Sequence, residues 1–260
     1  MVCRNFRILA VWAAFLLLAI LTFQFLHECG HGGGAKLEGY HVSTGFDRVG
    51  DAGKKPDDPD FRSNKIIQGR WNLSDFLGPL VSWIFALVFT AIYFKQRSFN
   101  SVTLLLGAGA TINALMRFFP MLMFFVAALQ GRFVLEDETA LGLSAMEGMK
   151  FPMPYLDFKS LASAQPELFL SEPRIYFWPI VSIAISLACF LLIYRRLKQL
   201  SGQIMGSRFA QAMFILMPLL IWLPAFVVVN KLDNLIRLNW QYSRNRLVRS
   251  RYNSKGCLLI

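Results

Sequence analysis

The chain has few charged residues and very few histidines. Only 17% of its 260 residues are Asp, Glu, Lys or Arg, whereas 55% are hydrophobic. Soluble globular domains carry about 25% charged residues, so this composition excludes an ordinary soluble protein. The four cysteines, Cys3, Cys29, Cys189 and Cys257, have neither metal-binding nor disulfide spacing. With only three histidines in the chain, any place where two of them stand close together is informative.

Five apolar stretches are long enough to cross a bilayer. They are Ile8–Leu26, Phe76–Phe94, a span somewhere within Val102–Leu135, Ile175–Tyr194 and Phe209–Val229. A helical crossing needs about 20 mainly apolar residues. We therefore predict an all-α, polytopic integral membrane protein with about five transmembrane helices. The third stretch is too long for one straight helix, and Gly107, Gly109 and Pro120 are the predicted places for a break or kink.

Acidic residues are scarcer than basic ones, at 16 against 27, and the basic residues cluster. Residues 1–7, 95–100 and 195–208 together hold eight Lys or Arg and no acid. The tail from Lys231 holds seven Lys or Arg against Asp233 alone. A basic tail on a membrane protein binds anionic lipid, so we predict lipid contact and no nucleic-acid binding. The short segments and the tail disagree about which side of the membrane holds the N-terminus.

The pentapeptide His27-Glu28-Cys29-Gly30-His31 lies at the end of the first apolar stretch and uses two of the three histidines. It has the HExxH spacing, which places two imidazoles one turn apart on one helix face with a carboxylate beside them. His27 and His31 are therefore predicted ligands of one Zn²⁺. Glu28 is the predicted general base, which takes a proton from the metal-bound water. So short a motif also occurs by chance, but polar residues are costly at the end of an apolar run.

A third protein ligand would leave the fourth position of the zinc open for water. Alternating spans bring the end of the first helix, the start of the second and the end of the third to one side of the membrane. The candidate ligands at that depth are Asp75, the cluster Glu136-Asp137-Glu138 and His41. The residues alone leave this choice open, because Asp75 also suits a helix N-terminus and the cluster also suits a solvated loop.

The order of these features resembles the site-2 protease family of intramembrane zinc metalloproteases. An apolar helix ends in HExxH, the strand-like segment Gly39–Phe46 follows, and the second helix opens with Gly78-Pro79-Leu80. The resemblance covers roughly residues 8–140. It implies a three-helix catalytic core, Asp137 as the third zinc ligand and cleavage of a peptide bond in or near the membrane.

This sequence departs from the family at three places. Ser82 stands where the family usually has Asn, and Asp137 is followed by Glu138 rather than by Gly. Asn113 and Pro120 are seven residues apart, where the third helix of the family has Asn-x-x-Pro. Ser82 and Asn113 are each open to two readings, a donor to the oxyanion or a hydrogen bond between helices. Arg117 lies in an apolar stretch, and we predict that it snorkels from a helix end rather than acting beside a substrate carbonyl or an acidic partner.

These observations divide the chain into three parts. Residues 1–140 are the predicted zinc metalloprotease transmembrane core, with a small β element after the first helix. Residues 141–230 are a loop and two additional transmembrane helices, and residues 231–260 are a basic amphipathic tail. The tail ends in Cys257-Leu-Leu-Ile260, which has the form of a prenylation box.

The predicted function is that of a multi-pass membrane zinc metalloendopeptidase, a hydrolase of peptide bonds in membrane-embedded or membrane-adjacent substrates. Its predicted partners are a membrane protein or peptide substrate and the lipid bilayer. An unwound substrate is expected to add as a further strand to Gly39–Phe46, because a helical substrate hides its carbonyl groups. The alternative function is a non-catalytic membrane metal-binding relative, or a scaffold that retains the HExxH.

Overall fold

The computed structural model of the chain describes residues 2–37, 42–45, 49–51, 73–96, 98–144, 164–222, 224–225 and 228–229. The helices are α1 (Val2–Leu37), α2 (Leu73–Lys95), α3 (Ser101–Leu129), α4 (Asp137–Ser144), α5 (Pro166–Leu170), α6 (Arg174–Ile204) and α7 (Arg208–Trp222). The strands are β1 (Val42–Thr44) and β2 (Val49–Asp51). The predicted tail, residues 231–260, and His41 lie outside the described residues.

Four helices, α1, α2, α3 and α6, are long and apolar enough to cross a membrane. The prediction of several helices able to cross a membrane is therefore confirmed, whereas their number of about five stays a prediction. The fifth predicted stretch contains α7, and residues 224–225 and 228–229 of the same stretch are also helical.

The long helices pack around one apolar core. Helix α1 contacts α2 and α3, and α6 contacts α2, α3 and α4. Trp12 of α1 donates its indole N–H to the carbonyl oxygen of Phe214 at 3.0 Å and stacks on that ring, which ties α7 to the bundle. Large apolar side chains such as Leu18, Leu87 and Leu191 are exposed on the outside, as expected of helices that face lipid.

Helix α1 continues past its apolar run through the HExxH and three further glycines. Glycine normally weakens a helix by roughly 0.5–1 kcal/mol relative to alanine. Here close packing against α2 compensates. A Cβ on Gly30 would lie 2.5 Å from the carbonyl oxygen of Leu77, and one on Gly34 would lie 2.5 Å from that of Leu73. This pair of small residues, four apart, lets the two backbones approach closely at the end of the bundle where α1 ends.

Helix α3 is continuous from Ser101 to Leu129, so the predicted break at Gly107, Gly109 or Pro120 does not occur. The glycines have a packing role instead. A Cβ on Gly107 would lie 2.9 Å from the ring of Tyr93, and one on Gly109 would lie 2.9 Å from the ring of Phe89. Aromatic rings of α2 therefore fill the space that side chains would take on α3.

Helix α4 follows α3 after a turn at Gly131, whose φ is 69°. It packs against the start of α6, where a Cβ on Gly142 would lie 2.6 Å from the carbonyl oxygen of Arg174. A separate small apolar cluster surrounds this contact. Its buried members are Phe124, Leu143, Phe169 and Ile175. The predicted boundary at residue 140 falls inside α4, and this helix is joined by packing to α6 on the other side of that boundary.

The hairpin of β1 and β2 lies against the end of α1. The two strands pair antiparallel, with Thr44 opposite Val49. The side chain of Thr44 occupies the space beside Gly32, where a Cβ would overlap it. Strand β1 lies within the predicted segment Gly39–Phe46, and Gly32 is the residue after His31, so the hairpin adjoins the HExxH.

Candidate metal centre

The side chains of His27, His31 and Asp137 converge at one end of the bundle. The Nε2 atoms of the two histidines are 3.1 Å apart, and Asp137 Oδ2 lies 3.2 Å from His27 Nε2 and 3.3 Å from His31 Nε2. The ligand atoms of a tetrahedral zinc with bonds of about 2.0–2.1 Å stand about 3.3–3.4 Å apart. The triangle therefore has nearly the size that one zinc ion requires. Within the described part of the chain it is the one group of this kind.

Each imidazole is held through its other ring nitrogen by a backbone carbonyl of α2. His27 Nδ1 donates to the carbonyl oxygen of Gly78 at 2.8 Å, and His31 Nδ1 donates to that of Ser74 at 2.7 Å. Because a carbonyl oxygen only accepts, the hydrogen of each neutral ring lies on Nδ1 and Nε2 presents a lone pair. Such outer hydrogen bonds are typical of histidines that bind metals.

The triangle of lone pairs requires a positive charge inside it. Two Nε2 atoms and a carboxylate oxygen face one another at 3.1–3.3 Å. Without a cation among them these atoms repel one another, since none of them carries a hydrogen to donate. A metal ion or a proton satisfies this requirement. The donor set of two imidazoles and one carboxylate is one that zinc accepts.

The match between rings and carbonyls follows from the antiparallel packing of α1 on α2. His27 and His31 are one turn apart on α1, and their partners Gly78 and Ser74 are one turn apart on α2 in the reverse order. The Ser74 hydroxyl also donates to the carbonyl oxygen of His31 at 2.9 Å. A Cβ on Gly78 would overlap the His31 ring, so only glycine leaves room for the imidazole at this position.

Asp137 is the first residue of α4, and Arg117 of α3 holds it against the histidines. Arg117 Nη1 donates to Asp137 Oδ2 at 2.9 Å and lies 3.3 Å from Glu138 Oε2. Arg117 is only 6% exposed. The prediction that it snorkels is wrong, because two carboxylates inside the protein supply the partners that a snorkelling cation finds in water. The acidic partner that was the other reading of this residue is present.

Glu138 is fully buried and lies outside the triangle. Ser182 of α6 donates to Glu138 Oε1 at 2.8 Å, and Trp83 of α2 donates its indole N–H to the Ser182 hydroxyl at 3.0 Å. Groups from α3 and α6 thus meet at the Glu138 carboxylate, beside the third member of the triangle, and α2 is connected to it through Ser182. Helix α6 is therefore connected to the centre, although the sequence analysis placed it outside the catalytic core.

The acidic residues at the start of α4 titrate outside their ordinary ranges. Burial raises the pKa of Glu136 to about 8, and the nearby charge of Asp137 adds to the rise. Burial also opposes ionisation of Asp137, but in the metal-free centre a proton on the histidines that face it, His31 first, and the Arg117 guanidinium hold the pKa of this carboxyl well below its usual range. At neutral pH Asp137 is therefore ionised, as a metal ligand must be, whereas Glu136 is largely protonated.

The other residues singled out from the sequence have simpler places. Glu28 is buried within α1, next to His27 in the chain. Asp75 lies in the first turn of α2, as its helix N-terminal reading predicted. Ser82 Oγ lies 3.1 Å from His27 Nδ1. Asn113 donates to the carbonyl oxygen of Gly109 at 2.8 Å, within its own helix rather than between helices.

Two features of the centre were missed in the sequence. The first is the spacing of Gly30 and Gly34, which is a recognised pattern of close helix packing. The second is the pairing of Arg117 with the acids after α3. A charged residue in an apolar stretch requires an opposite charge, and the nearest acids along the chain toward that end of the membrane are Glu136 and its two neighbours.

Comparisons with protein-family models, with curated proteins and with solved structures find no match for this chain. Its function must therefore be argued from the geometry of the centre. The Asp137 side chain is 31% exposed, whereas those of His27 and His31 are 3% and 11% exposed. Of the three side chains, that of Asp137 is therefore the most exposed, and the two imidazoles are buried.

Proposed function

We propose that this chain is a multi-pass membrane zinc metalloendopeptidase that hydrolyses peptide bonds of membrane-embedded or membrane-adjacent substrates. The observation that carries the proposal is the convergence of His27, His31 and Asp137, with both rings oriented by carbonyl groups of α2. Glu28, next to His27 in the chain, is buried within the same helix. Two histidines and a carboxylate form a donor set of hydrolytic zinc sites that keep one position open. The resemblance of residues 8–140 to site-2 proteases supports the same function.

The residues of the chain divide the chemistry among them. Bound by His27, His31 and Asp137, zinc would supply a Lewis acid that polarises the scissile carbonyl and lowers the pKa of a water molecule. Glu28 takes the proton of the attacking water and delivers it to the leaving amine. The carbonyl groups of Gly78 and Ser74 keep the Nε2 lone pairs directed inward while this happens.

The substrate has to present an extended peptide bond. A transmembrane helix hides its carbonyl groups in its own hydrogen bonds. The hairpin of β1 and β2 lies beside His31, with Thr44 packed against Gly32. We propose that an unwound substrate adds to this hairpin as a strand, with its backbone hydrogen bonds supplying affinity.

The proposal also includes a fifth membrane crossing and the contact of the tail with lipid. Helical residues continue at 224–225 and 228–229 after α7, so a fifth crossing that includes them reaches farther than α7 alone. The basic residues of the tail then contact anionic lipid, at about 1 kcal/mol for each Lys or Arg near the surface.

Three variants test the proposal. His27→Ala and His31→Ala should abolish zinc binding, because each removes one of three ligands. Glu28→Gln should retain zinc and lose cleavage, since the base is not a ligand. Metal analysis of the purified protein and cleavage of a membrane-inserted peptide measure the two properties. Glu167→Gln, on α5, is the matched control. A Glu28→Gln variant that cleaves as fast as the parent would contradict the mechanism.

One observation favours a second candidate, the scaffold that retains the HExxH. Arg117 donates to the same Asp137 oxygen that faces the histidines, so this carboxylate has a charged partner without any ion. A parent protein that binds no zinc would favour this candidate.

A further inference from the structure

We propose that Arg117 is a positioning residue that holds Asp137 in place as the third ligand, and that Glu138 serves as the buried counterion of Arg117. The inference rests on the proposed function, because it assigns Asp137 to a metal. It gives the neighbouring carboxylates Asp137 and Glu138 different tasks. It also makes α6 a part of the centre, through Ser182.

The first support is the sharing of one oxygen atom. Asp137 Oδ2 accepts from Arg117 Nη1 at 2.9 Å, and the same oxygen faces His27 Nε2 at 3.2 Å. A carboxylate oxygen has two lone pairs, so it accepts one hydrogen bond and still offers one lone pair to a metal. The guanidinium thus fixes the orientation of the Asp137 carboxylate that the triangle needs.

The second support is that Asp137 needs an external hold. It is the first residue of α4, and its side chain is 31% exposed. A side chain at a helix start with open space beside it has several rotamers available, and ordering it on metal binding costs entropy. For the two histidines, hydrogen bonds to carbonyl groups of α2 already fix the ring orientation, which lowers the entropy cost of binding a metal. Arg117, anchored on the buried face of α3, does the same for Asp137.

The third support is the set of hydrogen-bond donors that surround the buried Glu138 carboxylate. Arg117 Nη1 lies 3.3 Å from one Glu138 oxygen and 3.4 Å from the other. Ser182 donates to Oε1 at 2.8 Å, and the Trp83 indole donates to Ser182. A buried arginine beside a metal ion would be repelled by it, and the negative charge of Glu138 offsets that repulsion. Glu138 therefore stabilises Arg117 rather than the metal itself.

The test separates positioning from simple charge balance. Arg117→Met alone leaves Glu138 buried without a counterion and is expected to unfold easily. The decisive variant is the double replacement Arg117→Met with Glu138→Gln, which removes both charges and leaves an uncharged amide of the same length to pair with Ser182. Co²⁺, whose visible absorption reports coordination geometry, is the probe, in detergent-solubilised full-length protein. Arg132→Met, an exposed arginine in the turn before α4, is the matched control.

We expect the double variant to unfold near the parental temperature and to bind Co²⁺ on the order of 10–100-fold more weakly, with an altered spectrum. Parental affinity and spectrum in this variant would overturn the proposal, because Arg117 would then only balance Glu138. If the double variant does not fold, two single variants decide. Arg117→Lys should weaken Co²⁺ binding more than Glu138→Gln does, since the lysine ammonium is carried on a flexible stem and does not fix the orientation of the Asp137 carboxylate. The reverse order would overturn the proposal.

Co²⁺ binding by the parent and by His31→Ala shows whether a negative result concerns the positioning role of Arg117 or the metal centre as a whole. A parent that binds no Co²⁺, or binds it equally well after His31→Ala, would overturn the metal centre and this inference with it. A parent whose Co²⁺ affinity depends on His31 but not on the Arg117 and Glu138 pair would overturn the positioning role alone.

Discussion

The two ends of the helix bundle differ in how their charged side chains are buried and paired. At the end where α1 terminates, Arg117 is buried and contacts two carboxylates. At the opposite end the charges are basic and mostly exposed. They include Arg4, Lys95, Arg195, Lys198 and Arg208. No Asp or Glu occurs in residues 1–27, 76–135 or 173–232, so this second end has no nearby acid in the sequence of its helices.

Two arginines of the basic end donate to backbone carbonyl groups instead. Arg4 donates to the carbonyl oxygen of Ile204 at 3.2 Å, and Arg196 donates to that of Gln96. Exposed charges remain hydrated and contribute little to stability, whereas a buried charge depends on its partner. The number of charges at one end of the bundle therefore says little about how much they contribute to stability. Their contribution depends on burial and pairing, and the buried, paired charges lie around the triangle.

The largest effect is expected for Gly78→Ala, because an added Cβ would overlap the His31 ring. The ring would have to move away from the triangle, and we expect zinc affinity to fall by on the order of 10–100-fold or more. Metal analysis and thermal unfolding in detergent measure the change. Gly33→Ala is the matched control, since a Cβ there has nothing within 4 Å. Equal zinc binding by both variants would show that the ring does not need the space at Gly78.

A smaller effect is expected for Ser182→Ala, which removes the donor to Glu138 and the acceptor of the Trp83 indole. Leaving buried polar groups without partners costs about 1–3 kcal/mol, so the free energy of unfolding should fall by that amount. Chemical denaturation in detergent is the measurement. Ser186→Ala, one turn farther along α6 and equally buried, should cost less. The opposite order of the two variants would contradict the link between α6 and the centre.

The smallest effect is expected at the basic end, for Arg4→Gln. This change removes one exposed charge and its hydrogen bond to Ile204, so the free energy of unfolding should change by less than about 1 kcal/mol. Zinc content should stay at the parental level. A loss of zinc in Arg4→Gln would show that the two ends are coupled. The exposed charges of the basic end would then also support the metal centre, contrary to the prediction.

Much of the candidate metal centre could be predicted because three of its residues lie close together in the sequence of one helix. His27, Glu28 and His31 lie within one helical turn and a half, where the period of the helix alone determines which side chains share a face. The apolar stretches likewise predicted the four long helices, since membrane insertion depends on composition over about 20 residues.

The sequence by itself determined the membrane helices, the pair of histidines and the short set of candidates for a third ligand. Only the tertiary structure shows that, of the candidates in the described residues, Asp137 is the one that meets the histidines. Which carboxylate of Glu136, Asp137 and Glu138 meets the histidines depends on how α4 docks against α3 and α6, and adjacent residues at a helix start point in different directions. The role of Arg117 was decided in the same way, because its partners come from a different helix and a snorkelling arginine has the same local sequence. Contacts between helices are nonlocal, so no local pattern specifies them.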